Sequence, residues 1–136
     1  MEVIKIEVSW EDKNYCCGWS LEGVGAVICT NKSLEGLKLD FEESLRFHVD
    51  AMAEDGEDVP QWLVDGDYRI EYNLAVSALL RQAERFTTMA VISRVTGINQ
   101  KLLGHYASSL KIPRPAQRER IIDGLHEIGR EFLAVQ

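Results

Sequence analysis

Nowhere in this 136-residue chain do eighteen apolar residues run together, which excludes a membrane-spanning helix of ordinary length. The opening stretch "MEVIKIEVSW" lacks a basic leader followed by an apolar segment, so a cytoplasmic protein with no membrane role is expected. Cysteines are few and odd in number. Cys16, Cys17 and Cys29 show neither CxxC spacing nor a neighbouring histidine, which argues against a zinc module and for a reducing compartment. Prolines number only 3, no tract rich in Gly, Ser and Pro separates parts of the chain, and no phosphate-cradling glycine motif occurs. No cofactor is therefore expected. Positive charge is scarce in one region only: residues 1–73 hold 6 Lys and Arg against 17 Asp and Glu, whereas residues 74–136 hold 9 against 5. The overall charge of −7 thus hides two pieces suited to opposite partners.

What is present divides along the same line. "EVIKIEVSW" alternates Val3, Ile4, Ile6 and Val8 with polar residues, "EDKN" supplies turn chemistry, and "YCCGWSL" closes a hairpin. "GAVICT" is almost continuously apolar, as suits a strand covered on both faces or lying inside a sheet. From Ser33, a good N-cap, the period becomes helical: Leu34, Leu37, Phe41, Leu45, His48 and Met52 share one side, with Lys38 and Arg46 among the wet residues opposite. Gly56 and Pro60 end that helix, and "DYRIEYNL" alternates as a fourth strand. The expectation is an α+β fold: a β-β-β-α-β module over residues 1–73, then an all-helical module over 74–136. Trp10, Trp19 and Trp62 fall in or beside the first module, where packing accounts for them. His48, on the apolar side of its helix, reads as a satisfied core or boundary histidine.

The helical module carries the sharper signal. A helix-turn-helix frame needs a small residue in its first helix, glycine at the turn and apolar residues at fixed offsets. With Met89 first, Ile92, Ser93, Gly97, Ile98, Leu103 and Tyr106 meet those offsets, and Thr96 is the one polar exception. The outer face of the second helix, capped by Asn99, then presents Asn99, Gln100, Lys101, Gly104, His105 and Ser108 to base edges. Lys111, Arg114, Arg118 and Arg120 follow directly and are expected to hold phosphates.

Two stretches carry a family resemblance. "TNKSLEGLKLDFEESLRFHVDAMAEDGEDVP" resembles the HicB antitoxin signature, and "SRVTGINQKLLGHYASSLKIPRPAQRERIIDGLHEIGREFLAV" is similar to the DNA-binding tail of the subgroup with a C-terminal helix-turn-helix. The resemblance implies a partly RNase H-like N-terminal fold without nuclease activity. It also implies three partners: a small basic RNA-cleaving toxin of the HicA kind, the double-stranded operator DNA of the protein's own operon, and further copies of the chain as a homodimer or larger oligomer. Gly97, Ile98, Asn99, Leu103, Gly104, His105, Tyr106, Pro113, Arg114 and Pro115 lie on the tail pattern. Gly36 departs from the first-module signature, standing where relatives favour a helix former; close approach by the toxin is one reason to expect glycine there. No motif assigns the toxin contacts. Glu42, Glu43, Glu54, Asp55, Glu57 and Asp58 are candidates by charge alone.

Two other functions compete with a binding role of this kind. A stand-alone regulator with a ligand-sensing first module would lack a cognate toxin. A two-metal nuclease would need carboxylates at adjacent strand ends, but none lies on the apolar third strand. An enzyme is therefore not expected.

Overall fold

The computed structural model describes residues 1–136, which form two units: Met1–Ser9 with Lys13–Leu74, and Trp10–Asp12 with Ala75–Gln136. The chain is α+β, with one four-stranded mixed sheet and six helices.

The first unit is a sheet with a helix on one face. Strands β1 (Glu2–Glu11) and β2 (Asn14–Leu21) are joined by Asp12 and Lys13, whose positive φ values of 50° and 64° give the turn the twist a two-residue hairpin requires. β3 (Gly25–Asn31) pairs antiparallel with β2, and β4 (Tyr68–Leu74) pairs parallel with β1, so the strand order is β3-β2-β1-β4. β3 is accordingly an edge strand. Its apolar run is half exposed: Val27 and Cys29 point inward, whereas Ala26 and Ile28 face solvent. The both-faces-covered reading of "GAVICT" does not hold, because local apolarity does not say which neighbours a strand will have.

Helix α1 (Leu34–Glu54) starts where Ser33 Oγ accepts the Gly36 N–H at 3.0 Å. It ends in a Schellman arrangement, with Glu57 N–H to Met52 O and Gly56 N–H to Ala53 O around a left-handed Gly56. Leu37, Phe41, Leu45 and Val49 form its fully buried stripe, while Leu34, His48 and Met52 lie half-buried beside it. The His48 imidazole Nε2 is hydrogen-bonded to the Val24 carbonyl. Gly36 has an internal reason: a Cβ there would come within 2.7 Å of the Asn31 amide. That amide accepts the Ser33 N–H and donates to Asp40, so no toxin contact is needed to account for the glycine.

Helix α2 (Gln61–Val64), which no period in the sequence announces, is a single turn held from outside. Arg46, expected to be wet, is half-buried; it donates to the carbonyls of Leu63 and Val64 while its other edge pairs with Asp50.

Cys17 and Cys29 are direct cross-strand partners, both buried and both reduced. Burial pushes the Cys17 thiol up to about 11, with the neighbouring Cys29 and Cys16 adding to the effect. Because the folded state holds this proton more tightly, the associated stability is present below the ordinary value of 9.0 and is lost as pH rises through about 11. Thermal melts between those two pH values should therefore fall more steeply for the wild type than for Cys17→Ala; parallel slopes would contradict this.

The second unit is helical: α3 (Val76–Ala83), α4 (Met89–Thr96), α5 (Gln100–Ala107) and α6 (Pro115–Leu133). Its core joins Val76, Leu80, Ile92, Ile98, Leu103, Tyr106 and Ile121. Gly124 is the close-approach point of α6 on α4, where a Cβ would lie 2.5 Å from Thr96 Cγ2. Trp10 belongs to this unit and not to the acidic one. Its backbone N–H donates to Ser77 Oγ at 2.9 Å, its carbonyl accepts from Ser109 Oγ at 2.8 Å, and the Arg81 guanidinium stands 4.4 Å over its ring.

Candidate nucleic-acid interface

Helices α4 and α5 are joined by only Gly97, Ile98 and Asn99, and nearly every polar group of that connection is committed. Thr88 caps α4 by accepting the Val91 N–H at 3.2 Å. Gly97, at φ 74°, lets the chain reverse and sends its N–H back to Ser93 O at 2.8 Å. Ser93 Oγ donates to the Ile98 carbonyl at 2.6 Å, and Thr96 Oγ1 donates to Ile92 O while accepting the Ile98 N–H. Thr96, polar where the frame favours an apolar residue, thus serves the turn through its hydroxyl. Ile98 plugs the corner and is buried, as are Ile92, Leu103 and Tyr106. These anchors fix which side of α5 faces outward.

On that outer side Gln100, Lys101, Gly104 and Ser108 are exposed. Asn99 is exposed too, but its Oδ1 caps α5 by accepting the Lys101 N–H at 2.8 Å, which leaves the amide Nδ2 as its outward donor. Ser108 Oγ donates locally to the His105 carbonyl at 3.3 Å. His105 is less outward than its position suggests: the residue is half-buried and its Nδ1 is enclosed without a partner. Gly104 is the informative residue. A Cβ there would meet nothing within 4 Å, so nothing inside the unit requires a glycine that costs a helix about 1 kcal/mol.

The cations divide into two kinds. Arg120, expected among the phosphate contacts, instead donates to the Thr96 carbonyl at 2.8 Å and to Gln117 at 2.8 Å, tying α6 to the end of α4. Its spacing from Thr96 in sequence gave no sign of this role. Lys101, Lys111, Arg114 and Arg118 take no part in the Glu35–Lys38, Arg46–Asp50, Arg69–Glu71 and Arg81–Glu84 ion pairs. Lys111 and Arg114 border a depression of about 630 Å³ between the end of α5 and the start of α6, lined also by Tyr106, Ile112, Gln117 and Arg120 and by no carboxylate. The first turn of α6, with Pro115 at its start and no side-chain cap, leaves backbone N–H groups facing outward beside these cations. The arrangement can hold phosphates on either side of a helix that offers hydrogen-bonding groups around a glycine.

In the acidic unit, Glu42, Glu43, Glu54, Asp55, Glu57 and Asp58 are all exposed but form two groups. Glu42 and Glu43 lie mid-helix, about 18 Å from Glu54 at 1.5 Å per residue. Glu42 also accepts the Tyr72 hydroxyl at 3.3 Å, a contact that, after burial, holds the phenol above its ordinary range. The second group crowds the negative end of the α1 dipole, with no basic residue in its last turn. No three His, Cys, Asp or Glu side chains are placed to hold a metal ion, and no helix is long and apolar enough to cross a membrane.

Replacing Gly104 with alanine should stabilise the protein by about 0.5–1 kcal/mol, since the methyl group enters open space. If α5 enters a groove, the same substitution should weaken binding to cognate DNA. Denaturant unfolding and fluorescence anisotropy measured on one preparation separate the two effects, and a stabilised variant with unchanged DNA affinity would place Gly104 away from the contact.

No protein-family model, curated protein or solved structure matches this chain.

Proposed function

We propose that the protein is an antitoxin of the HicB kind that also represses its own operon: α4 and α5 act as a helix-turn-helix that reads operator DNA, and the acidic unit masks a small basic RNA-cleaving toxin. The observation that carries the DNA half is the locked three-residue connection at Gly97, which fixes an outer face of α5 whose glycine has no internal cause. Gln100 addresses base edges, Asn99 contributes its amide, and Lys101, Lys111, Arg114 and Arg118 hold the backbone. His105, with one ring nitrogen enclosed, contributes at most through its exposed side.

The toxin half rests on charge and on the resemblance of "TNKSLEGLKLDFEESLRFHVDAMAEDGEDVP" to the family signature. Carboxylates crowded at the C-terminus of α1 repel one another and oppose the helix dipole, so a cationic protein docked there relieves a strain that the unit does not relieve itself. The HicB reading assigns the acidic unit a role in binding, not catalysis, with a cytoplasmic location.

Expression of the small basic protein encoded beside this one, with and without it, tests the whole reading. Arrested growth that this protein restores, together with repression of a reporter driven by its own upstream DNA, is the expected outcome. Repression with no toxic neighbour would favour a stand-alone regulator.

A further inference from the structure

Between α3 and α6 of the helical unit runs a groove of about 370 Å³, and none of the side chains that line it is charged. Leu79 and Ala83 on α3, and Leu125 and Ile128 on α6, are its half-buried walls, spaced to share one stripe of each helix. Phe86 and Phe132 also line it. They are 74% and 66% exposed, far more than aromatic side chains ordinarily remain in a folded unit. Gly129 lies in the same groove, inside α6, where glycine is unfavourable, and a Cβ there would meet nothing within 4 Å. Packing within the chain gives neither the bare rings nor the glycine a cause.

A single unpaired cation marks one end. Arg85 stacks on Phe86 at 5.2 Å from the ring centre, and its Nη1 donates to Gln82 Oε1 at 3.0 Å; Phe86 and Gln82 both line the groove. The partners of this guanidinium are thus a ring and a neutral amide, which leave its Nε and Nη2 donors for a further acceptor. Arg81, one turn earlier, is instead paired with Glu84. Glu127, Arg130 and Glu131 fall off the α6 stripe of Leu125, Ile128 and Phe132.

We infer that this groove binds a small single-chain carboxylate, its hydrocarbon lying between α3 and α6 and its carboxylate on Arg85. The volume is that of a small-molecule pocket, with apolar walls and one polar anchor, and is too little for a protein partner, which needs roughly 800 Å² on each side. Charge selects the headgroup. An ammonium would meet Arg85, a neutral head would leave its open edge unused, and a phosphate monoester would bring two charges to one cation, whereas a carboxylate matches the guanidinium fork. Gly129 lets the chain lie against the α6 backbone, and the two exposed rings turn over it by side-chain rotation. The inference needs neither the DNA nor the toxin reading.

Isothermal titration calorimetry of the full chain with hexanoate, octanoate, decanoate and dodecanoate, each below its micelle concentration, tests it. One carboxylate should bind per chain, with affinity rising about two- to fourfold per methylene and levelling off once the groove is full. Octanoate should bind on the order of fivefold more tightly than 1-octanol, a preference that Arg85→Gln removes while leaving the alcohol's affinity unchanged. Gly129→Leu should lose both ligands with no loss of helical circular dichroism, since leucine favours the helix and fills the groove. Absence of binding by every chain length overturns the inference, as does octylammonium bound as tightly as octanoate, or Gly129→Leu binding octanoate like the wild type. Flotation with anionic vesicles, or a doubled sedimenting mass, without octanoate binding would assign the groove to a membrane or to a second copy and would equally overturn it.

Discussion

Simultaneous replacement of Lys101, Lys111 and Arg114 by alanine is expected to cut affinity for DNA of any sequence and to flatten its dependence on salt. None of the three has an acidic partner in the folded chain, so their charge is available to phosphates and their loss removes no internal ion pair. Each phosphate neutralised contributes about 0.9 to the slope of log affinity against log salt, so three lost contacts should lower that slope by about 2.7. Affinity should fall for cognate and unrelated duplexes alike, because backbone contacts position the protein without reading sequence. Anisotropy titrations at several salt concentrations measure this directly, and an unchanged slope would remove these residues from the interface. Arg120→Ala should behave differently. Its guanidinium is held by Thr96 O and Gln117, so its loss should loosen the turn and lower stability more than it changes the salt slope.

Leu103→Ala should have the largest effect on stability. The side chain is fully buried among Val76, Leu80, Ile92, Ile98, Tyr106 and Ile121, and it is one of two anchors that fix the rotation of α5. Truncation removes its burial and leaves a cavity, at a cost of about 2–5 kcal/mol. In a helical unit of this size that is a large share of the total stability. DNA binding should fall with the folded fraction, and lowering the temperature should restore part of it. A variant that melts like the wild type would mean that α5 does not depend on this anchor.

The contrast between these residues shows what a sequence can disclose. Helix α1, the Gly97 turn and the inward offsets Ile92, Ile98, Leu103 and Tyr106 were legible because each depends on residues within a few positions: a cap, a left-handed glycine, a 3.6-residue period. α2 was not legible, because a four-residue helix held by Arg46 from another element has no period of its own. The edge position of β3 is a matter of strand order, which "GAVICT" does not encode. The cause of Gly36 is the Asn31 amide folded over it, a contact that the helix pattern does not encode. At the candidate interface, residue types and order were readable, but the diversion of Arg120 and the enclosure of one His105 nitrogen depend on packing across the unit. The apolar groove at Gly129 was invisible for the same reason: its walls come from helices more than forty residues apart, and an amphipathic pattern does not reveal which of its apolar residues the fold leaves uncovered.

Competition anisotropy at one fixed salt concentration decides whether α5 reads sequence, comparing the duplex from immediately upstream of the protein's own coding sequence with an unrelated duplex of equal length. Sequence reading by α5 requires the upstream duplex to bind at least about 1,000-fold more tightly. It also requires Gln100→Ala to lower that ratio by about 1–3 kcal/mol while leaving affinity for the unrelated duplex unchanged. Equal binding to both duplexes, or a Gln100→Ala variant as selective as the wild type, would contradict it.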